Sequence, residues 1–483
     1  MSLVRRLAWN TGAQLLGKVI STTIGVIIVG LLTRYLGQAG FGAYSTANAF
    51  LQIFTLFLDL GVNVTFVALL GEHAHDPVYE KRCVSALFTL RLVTAGVLTI
   101  LAPLIAWFLP YSADIKWAII ALTGSLLFPS LTQLITGIQQ RHLQTHIGAV
   151  GEILGRCTLL VGILYARYLG IGLIPIMWFV SLGSATNFFF NLWLTKPSGL
   201  VHWNWDVAFW KDTLARSWPI GVSILFNLIY YKGDTLVLSL TRSQAEVGIY
   251  SAAYRVLEIL ITIPFMIAGL ALPLLSAAWA KQDHERLSHL ARQALTGVMF
   301  LIAPIVMGTL VLADRIMILV AGHDFAASGP ILRVLIIATG IIFINVIYAH
   351  VVVAVQAQRQ MLPIYIVTAL GIFAGYIILI PRFGMWAAAW LTVASEIFVT
   401  TGSYLVASRT TQLGFELRPV AVAWFSAAVM ALTLLALPSL PLIALILLGG
   451  LVYIACLFTL KAVPYELIKQ RVSATAKPDK QYP

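Results

Sequence analysis

Apolar runs of about 20 residues recur along the whole chain and are separated by short polar connections. About 20 residues of helix cross the roughly 30 Å of hydrocarbon in a bilayer, so each run predicts a membrane-crossing helix, here called a span. The pattern predicts fourteen spans, at 10–34, 42–70, 84–110, 115–137, 146–167, 171–194, 215–240, 248–280, 291–313, 330–354, 362–381, 384–407, 418–437 and 439–461. Span 8 contains Pro264 and Pro273, which predict a kink or a break.

Four of these spans carry polar residues at helical spacing. At about 100° per residue, such spacing confines the side chains to one narrow arc of the helix. The stripes are Thr11, Gln14, Lys18 and Thr22 in span 1, Asn48, Gln52, Thr55, Asp59 and Asn63 in span 2, Ser223, Asn227, Tyr230 and Asp234 in span 7, and Ser251, Arg255, Glu258 and Thr262 in span 8. A single stripe is explained by hydrogen bonds between neighbouring helices. Four stripes in corresponding places predict a water-accessible cavity.

An internal repeat accounts for that correspondence. GQAGFGAYSTANAF (37–50) and SQAEVGIYSAAYRV (243–256) share six of fourteen positions at an offset of 206 residues. The pairs Gly151/Gly155 and Gly371/Gly375 repeat a small-xxx-small spacing, which lets helices approach closely, at an offset of 220. Because an even number of spans separates the copies, they predict a parallel repeat.

The predicted organisation is all-α and follows from this repeat. It comprises an N-lobe (1–194, spans 1–6), a cytoplasmic linker (195–214), a C-lobe (215–407, spans 7–12), spans 13 and 14 (408–461) and a cytoplasmic tail (462–483).

Composition and charge agree with an integral membrane protein. Hydrophobic residues make up 60% of the 483 and charged residues 10%, with a mean hydropathy of +0.91. Nineteen Lys/Arg lie in connections on the side of the N-terminus and seven on the other, so the positive-inside rule predicts that both termini are cytoplasmic. The net charge of +12 therefore reflects topology and not a nucleic-acid surface.

Span 1 is too long for a cleaved signal peptide, and three scattered cysteines predict neither disulfides nor a metal site.

Ten charged residues, five of each sign, lie at least six positions from either end of their spans, and such residues are functional candidates by default. They are Lys18, Asp59, Arg91, Glu152, Arg156, Lys232, Asp234, Arg255, Glu258 and Glu396. Asp234 is predicted to pair with Arg255 across the hairpin of spans 7 and 8, with Lys232 facing away. Glu152 and Arg156 form an (i, i+4) pair, for which a structural role is favoured. For Arg91, the alternative to a functional role is that its side chain extends to the cytoplasmic surface of the membrane (snorkelling).

Enzyme motifs are absent from the sequence. Residues 12–18 match the P-loop spacing, but Val19 replaces the Mg²⁺-binding Ser/Thr and no strand precedes it. His284 and His289 resemble the two histidines of a zincin motif, but one additional residue separates them. They would therefore not share a helix face. No cofactor is expected, and transport would draw on an ion gradient, the membrane potential or the substrate gradient.

The segments LLTRYLGQAGFGAYSTANAF (31–50) and DTLVLSLTRSQAEVGIYSAAYRV (234–256) resemble the repeat signatures of bacterial polysaccharide repeat-unit flippases. These belong to one superfamily with lipid II flippases and MATE drug exporters. The resemblance implies two six-helix lobes in a V, with spans 1, 2, 7 and 8 lining the cavity, and alternating access.

The resemblance also implies the substrate and the site. The substrate would be an oligosaccharide on a polyprenyl diphosphate, moved to the outer leaflet of a bacterial inner membrane for cell-surface polysaccharide biosynthesis. Lys18 and Arg255 would meet the diphosphate or sugar acids, and sugar hydroxyls would meet Asn48, Gln52, Asn63 and Asn227. H⁺ or Na⁺ would be taken up by Asp59, Asp234 or Glu258, and a polysaccharide polymerase machinery is a candidate partner.

Two other functions stay open at this point. A MATE-like cation or drug antiporter would use Asp59, Asp234 and Glu258 to bind H⁺, Na⁺ or a cationic substrate. A membrane glycosyltransferase or ligase would need a large outer loop with catalytic groups, and none is visible in the sequence.

Overall fold

The computed structural model describes residues 3–73, 76–195, 202–409, 411 and 416–460, and the side chains of 3–11, 15, 56, 219, 220 and 222–231 lie outside the described part. Across these residues the chain is all-α and contains no strand. The helices are α1 (Leu3–Asp59), α2 (Val62–Glu72), α3 (Pro77–Phe108), α4 (Ala113–Leu122), α5 (Gly124–Arg141), α6 (Thr145–Leu169), α7 (Leu173–Thr195), α8 (Val207–Thr241), α9 (Gln244–Leu260), α10 (Thr262–Ala280), α11 (His284–Ala321), α12 (Ser328–Ala354), α13 (Gln358–Phe383), α14 (Met385–Ser408), α15 (Leu417–Ala436) and α16 (Leu442–Thr459).

These helices correspond to the fourteen predicted spans. Eleven helical stretches of the described residues are long and apolar enough to cross a membrane. One of them, Gly12–Glu72, contains spans 1 and 2, because α1 continues through a kink at Gly37 with φ 65°. Only glycine adopts a positive φ at no steric cost, which explains why the kink lies there. The helices α8 and α14 occupy the positions of spans 7 and 12, so the all-α membrane fold is confirmed.

Two spans are broken within the membrane. Span 8 is divided into α9 and α10 at Ile261, three residues before Pro264. Proline has no N–H to donate to the carbonyl of Leu260, so the predicted break is confirmed at that point. Span 2 is divided into α1 and α2 by Leu60 and Gly61, with φ of 38° and 78°.

The chain folds into two compact units. Unit 1 comprises Met1–Arg255, Met317–Ile331 and Tyr365–Ser395, and unit 2 comprises Val256–Ile316, Leu332–Ile364 and Glu396–Pro483. In unit 1, α6 packs against α1 and α7. In unit 2, α15 packs against α16 around Ala423, Met430 and Leu445. The two six-helix lobes at 1–194 and 215–407 stay a prediction.

The internal repeat produces a reciprocal contact within unit 1. A Cβ atom on Gly42 would overlap the carbonyl oxygen of Gln244, and a Cβ atom on Gly248 would overlap the carbonyl oxygen of Gln38. The 206-residue offset pairs Gly42 with Gly248 and Gln38 with Gln244, so each copy makes the same contact with the other. A self-complementary contact of this kind is the one that a two-fold axis produces.

The second small-residue motif has different neighbours in its two copies. On α6, a Cβ on Gly151 would overlap the Asn191 amide, and a Cβ on Gly155 would lie 2.6 Å from the Gly183 carbonyl oxygen. These glycines therefore let α6 and α7 approach closely, as the spacing predicts. On α13, a Cβ on Gly375 would lie 2.9 Å from Leu391 Cδ2, whereas Gly371 has no neighbour within 4 Å.

The end of the linker is tied to α3. The amides of His202 and Asn204 donate to the hydroxyls of Ser85 (3.1 Å) and Thr89 (3.0 Å). Asp206 then caps α8 by accepting from the Phe209 amide (3.0 Å) and forms an ion pair with Arg82 (2.6 Å). The Phe209 hydrogen bond, and then the Arg82 guanidinium, lower the pKa of the Asp206 carboxyl. Residues 202–206 thereby fix where α8 begins.

The reciprocal glycine contact predicts that an added methyl group destabilises the fold. Gly42→Ala and Gly248→Ala should each lower the unfolding temperature of the purified protein, because the overlapped atom is backbone and overpacking costs about 1–3 kcal/mol. Gly96→Ala is the matched control, since a Cβ there has no neighbour within 4 Å. The interpretation would be wrong if Gly42→Ala unfolded at the same temperature as Gly96→Ala.

Candidate functional site

The polar stripe of span 2 marks an accessible face of α1 and α2. Asn48, Gln52, Thr55, Asp59 and Asn63 are each half-buried or exposed. The residues that precede them by one position are all buried: Ala47, Leu51, Phe54, Leu58 and Val62. The two sets therefore lie on different faces of the helix, as the spacing predicts.

The stripe of span 1 leads to a charged cluster between α1 and α6. Lys18 Nζ lies 3.7 Å from Glu152 Oε1, and the same oxygen accepts hydrogen bonds from Ser21 Oγ (2.6 Å) and Arg156 Nη2 (3.1 Å). We call Lys18, Ser21, Glu152 and Arg156 the Lys18 cluster. Its three charged side chains lie within membrane-spanning helices.

Small residues bring α1 and α6 close enough for these contacts. A Cβ on Gly17 would lie 2.7 Å from the Cβ of Ala149, and a Cβ on Gly25 would overlap the Arg156 guanidinium. Arg156 thus lies directly against the backbone of α1, one helical turn beyond Ser21. Neither contact is possible if a larger side chain occupies these positions.

The Lys18 cluster holds two cations and one carboxylate, so it carries a net charge of +1. The side chain of Lys18 is 47% exposed, and those of Glu152 and Arg156 are each 35% exposed. Access to water lowers the cost of an uncompensated charge inside a membrane protein. An ammonium as a point charge beside a guanidinium fork suits an anion with several oxygens, such as a phosphate.

Arg91 is buried beside a carboxylate that balances its charge, although its Nε has no hydrogen-bond partner among the described residues. Its side chain is 1% exposed, and Nη2 contacts Asp59 Oδ1 at 2.5 Å while Nη1 donates to Gln133 Oε1 (3.1 Å). The snorkelling alternative for Arg91 is therefore wrong. Asp59 and Arg91 each lie 16 residues from residue 75, which is in the connection between spans 2 and 3. Equal distance from the connection predicts equal depth on the two spans, so the sequence carries a signal for this pair.

Asp234 is buried, and its contacts differ from the prediction. Its carboxylate accepts hydrogen bonds from the Tyr250 hydroxyl and from the Thr235 amide (2.5 Å) and hydroxyl (3.1 Å). The predicted pairing with Arg255 is thus replaced by one with Tyr250. The reason is that α9 begins at Gln244 and not at 248, which places Tyr250 at the depth of Asp234.

The charge of Lys232 acts on the Asp234 carboxylate, so the prediction that Lys232 faces away from Asp234 is not supported. Its Nζ lies over the Tyr254 ring, 4.9 Å from the centroid. A cation over an aromatic face is stabilised by the ring quadrupole. Lys232 therefore packs against the next span.

The other predicted site residues lie in three settings. Asn48, Gln52 and Asn63 belong to the accessible face of α1 and α2, and Asn63 Oδ1 is a buried oxygen without a hydrogen-bond partner in the described part of the chain. Arg255 and Glu258 are half-buried on α9. The side chain of Asn227 lies outside the described residues.

Two features of the site do not follow from the sequence patterns. The (i, i+4) spacing predicts only a local pair of Glu152 and Arg156, but Glu152 also forms an ion pair with Lys18. The sequence patterns identify Tyr250 only as one of the positions shared by the two repeats. A signal for its pairing exists, because Asp234 and Tyr250 each lie eight residues from Arg242 in the hairpin. The charges of the site therefore belong to three separate groups, around Glu152, Asp59 and Asp234.

Comparison with curated proteins finds two flippases of the archaeon Haloferax volcanii. The chain is 21% identical to "Probable flippase AglR" over 457 residues, which cover 89% of each protein. It is 27% identical to "Probable low-salt glycan biosynthesis flippase Agl15" over 177 residues. That second match spans 36% of this chain and only 37% of the relative.

Comparison with solved structures finds the same fold in a transporter. The structure "Lipid II flippase MurJ, inward closed conformation" matches with a TM-score of 0.77 at 16% identity and covers 92% of this chain and 97% of that one. The fold and the relatives indicate a transporter rather than a catalytic enzyme.

Two protein families match the sequence itself. The family described as MatE matches residues 219–377. The family described as "Polysaccharide biosynthesis protein" matches residues 7–279, more than half of the chain. The chain therefore belongs to the polysaccharide biosynthesis protein family, within the superfamily of multidrug, oligosaccharidyl-lipid and polysaccharide exporters.

Proposed function

We propose that this protein is a flippase that carries a polyprenyl-diphosphate-linked oligosaccharide from the cytoplasmic to the outer leaflet by alternating access, for cell-surface polysaccharide biosynthesis. The observation that carries the proposal is the Lys18 cluster. It places a net positive charge, on partly exposed side chains, in membrane-spanning helices. A diphosphate is the part of such a substrate that most needs a cationic partner away from bulk water.

The roles within the cluster follow from its geometry. Lys18 offers three rotatable N–H donors, and Arg156 offers a planar fork that matches two phosphate oxygens. Glu152 holds both cations at one oxygen, which keeps them together when no substrate is bound. Asn48 and Gln52, on the accessible face of α1, are proposed to hydrogen-bond sugar hydroxyls, and the roles of Asn63, Asn227 and Arg255 stay predictions.

The relatives support a glycan lipid as the substrate. The names of both curated relatives describe flippases, and that of one refers to glycan biosynthesis. The longer of the two matches extends over 89% of this chain.

Two of the three carboxylates that the antiporter alternative would use are engaged by other side chains. A cation antiporter would need a carboxylate that is free to bind H⁺, Na⁺ or a cationic substrate. Asp59 is bound by Arg91, and Asp234 by Tyr250 and Thr235. Coupling to H⁺ or Na⁺ through Asp59, Asp234 or Glu258, and a polymerase partner, stay predictions.

The proposed setting is a cell membrane with both termini in the cytoplasm. The support is the excess of Lys/Arg in connections on the side of the N-terminus. The bacterial inner membrane stays a prediction, because the curated relatives come from an archaeon.

Depletion of the protein from its host tests the function. Lipid-linked oligosaccharide should accumulate, and it should stay on the cytoplasmic leaflet, where externally added glycan-modifying enzymes cannot reach it. Hypersensitivity to cationic drugs without any accumulation would contradict the proposal and support the antiporter.

Substitution of Lys18 tests the site. Lys18→Gln should slow the movement of a fluorescent lipid-linked oligosaccharide in proteoliposomes by roughly ten- to a hundredfold, because a hydrogen bond to a charged group contributes about 1.5–3 kcal/mol. Lys18→Arg should retain most of the rate. Lys211→Gln, at an exposed position in the cytoplasmic end of α8, is the matched control. Equal transport rates for Lys18→Gln and Lys211→Gln, at equal unfolding temperatures, would show that Lys18 does not belong to the substrate site.

Reporter fusions test the orientation. A reporter that is active only in the cytoplasm should be active after Pro483, and an inserted reporter that is active only outside should be active between α13 and α14, at Gly384. The opposite result at both positions would invert the predicted topology.

A further inference from the structure

Unit 2 contains a basic cleft that the proposed transport site does not use. The cleft has a volume of about 950 Å³ and lies between the beginning of α11 and the end of α14. Its charged lining comprises Arg286, Arg292, Arg409, Asp283, Glu285 and two histidines. Three arginines against two carboxylates give a net charge of +1 when the histidines are neutral.

The arginines of this cleft are not neutralised by the neighbouring acids. Within the described part of the chain, no carboxylate forms an ion pair with Arg286, Arg292 or Arg409. Asp283 is engaged elsewhere, because its carboxylate caps α11 by accepting from the Arg286 amide (2.9 Å). Arg292 Nε is buried without a hydrogen-bond partner among the described residues. The cleft therefore presents donors that an anion can satisfy.

The spacing of the basic residues suits a phosphate group. Arg286, His289 and Arg292 follow one another at intervals of three on α11, so they occupy neighbouring parts of its surface. Arg409 contributes from the end of α14. Arginine forks from two helices can surround the oxygens of a phosphate, and arginine is the residue best suited to such bidentate contacts.

The position of the cleft indicates a lipid headgroup. It lies where two membrane helices end, on the side that is predicted to be cytoplasmic. Trp279 packs edge-on against His284 beside it, with ring centroids 5.4 Å apart. Tryptophan is enriched at the level of lipid headgroups, and basic residues on the cytoplasmic side attract anionic lipids.

We propose that this cleft binds the phosphate group of a lipid headgroup. The lipid is either an anionic phospholipid of the bilayer or the diphosphate of a lipid-linked glycan before transport. The proposal does not depend on the role of the Lys18 cluster, which lies in unit 1.

Lipid retention by the purified full-length protein tests the proposal. Native mass spectrometry would measure binding of phosphatidylglycerol, phosphatidylcholine and a polyprenyl diphosphate to the wild type and to the triple variant Arg286→Gln, Arg292→Gln, Arg409→Gln. A matched triple variant, Lys211→Gln, Lys281→Gln, Arg418→Gln, removes the same charge from exposed positions outside the cleft. Each arginine near an anionic headgroup contributes about fivefold to binding, so the cleft variant should lose on the order of 100-fold.

The lipid whose binding falls identifies the source of the phosphate. Loss for phosphatidylglycerol alone assigns the cleft to a bilayer lipid, and loss for the polyprenyl diphosphate assigns it to the glycan lipid. Unchanged binding of phosphatidylglycerol and of the polyprenyl diphosphate to the cleft variant would overturn the proposal. An equal loss of binding in the matched triple variant would also overturn it. If the cleft variant does not fold, the single variant Arg409→Gln, at an exposed side chain, should still lower the binding of one lipid about fivefold.

Discussion

The sharing of one carboxylate by two cations is the interaction on which the proposed transport site of unit 1 depends. A charge near the centre of a membrane helix costs about 2.5–3.5 kcal/mol unless it is paired or wet. Glu152 offsets part of that cost for Lys18 and Arg156 together, and the partial exposure of all three side chains offsets more. Arg91 shows the other solution, since it is buried and has its own carboxylate in Asp59. The buried Arg91 is therefore assigned a structural role, whereas the proposed function has the exposed excess of positive charge exchange Glu152 for a substrate anion.

The Asp59–Arg91 pair also explains how a membrane helix can be broken. At Leu60 and Gly61 the backbone has positive φ, which removes helical hydrogen bonds in a region without bulk water. The Asp59 carboxylate accepts from the freed Asn63 amide (3.2 Å) as well as from Arg91. A Cβ on Gly221 would lie 2.7 Å from the Leu60 carbonyl oxygen, so α8 packs directly against the break. One half-buried carboxylate thus stabilises both a guanidinium and an irregular backbone.

The sequence predicts the spans, the repeat and the accessible stripe of span 2, because each depends on local periodicity. It does not predict which charges meet. Beginning α9 at Gln244 and not at 248 moves Arg255 by four residues, or about 6 Å along the helix, relative to Asp234. Such boundaries are the least reliable part of a prediction from one sequence. The contact of Lys18 with Glu152 joins spans that are distant in the chain, and it depends on close packing at Gly17 and Gly25 that no local pattern reveals.

The repeat preserves the packing at Gly42 and Gly248 but not the charge. Gly42 and Gly248 occupy equivalent positions and make equivalent contacts. At the same offset of 206, however, Lys18 corresponds to Ile224, and at the offset of 220 Glu152 and Arg156 correspond to Ile372 and Tyr376. The positive charge of the Lys18 cluster is therefore confined to the first copy. The proposed substrate is asymmetric in the same way, because its charge is concentrated in the diphosphate, while sugar hydroxyls need only neutral hydrogen-bond partners. A duplicated scaffold with this cluster in only one copy would bind such a molecule in a single orientation, with its diphosphate at α1 and α6.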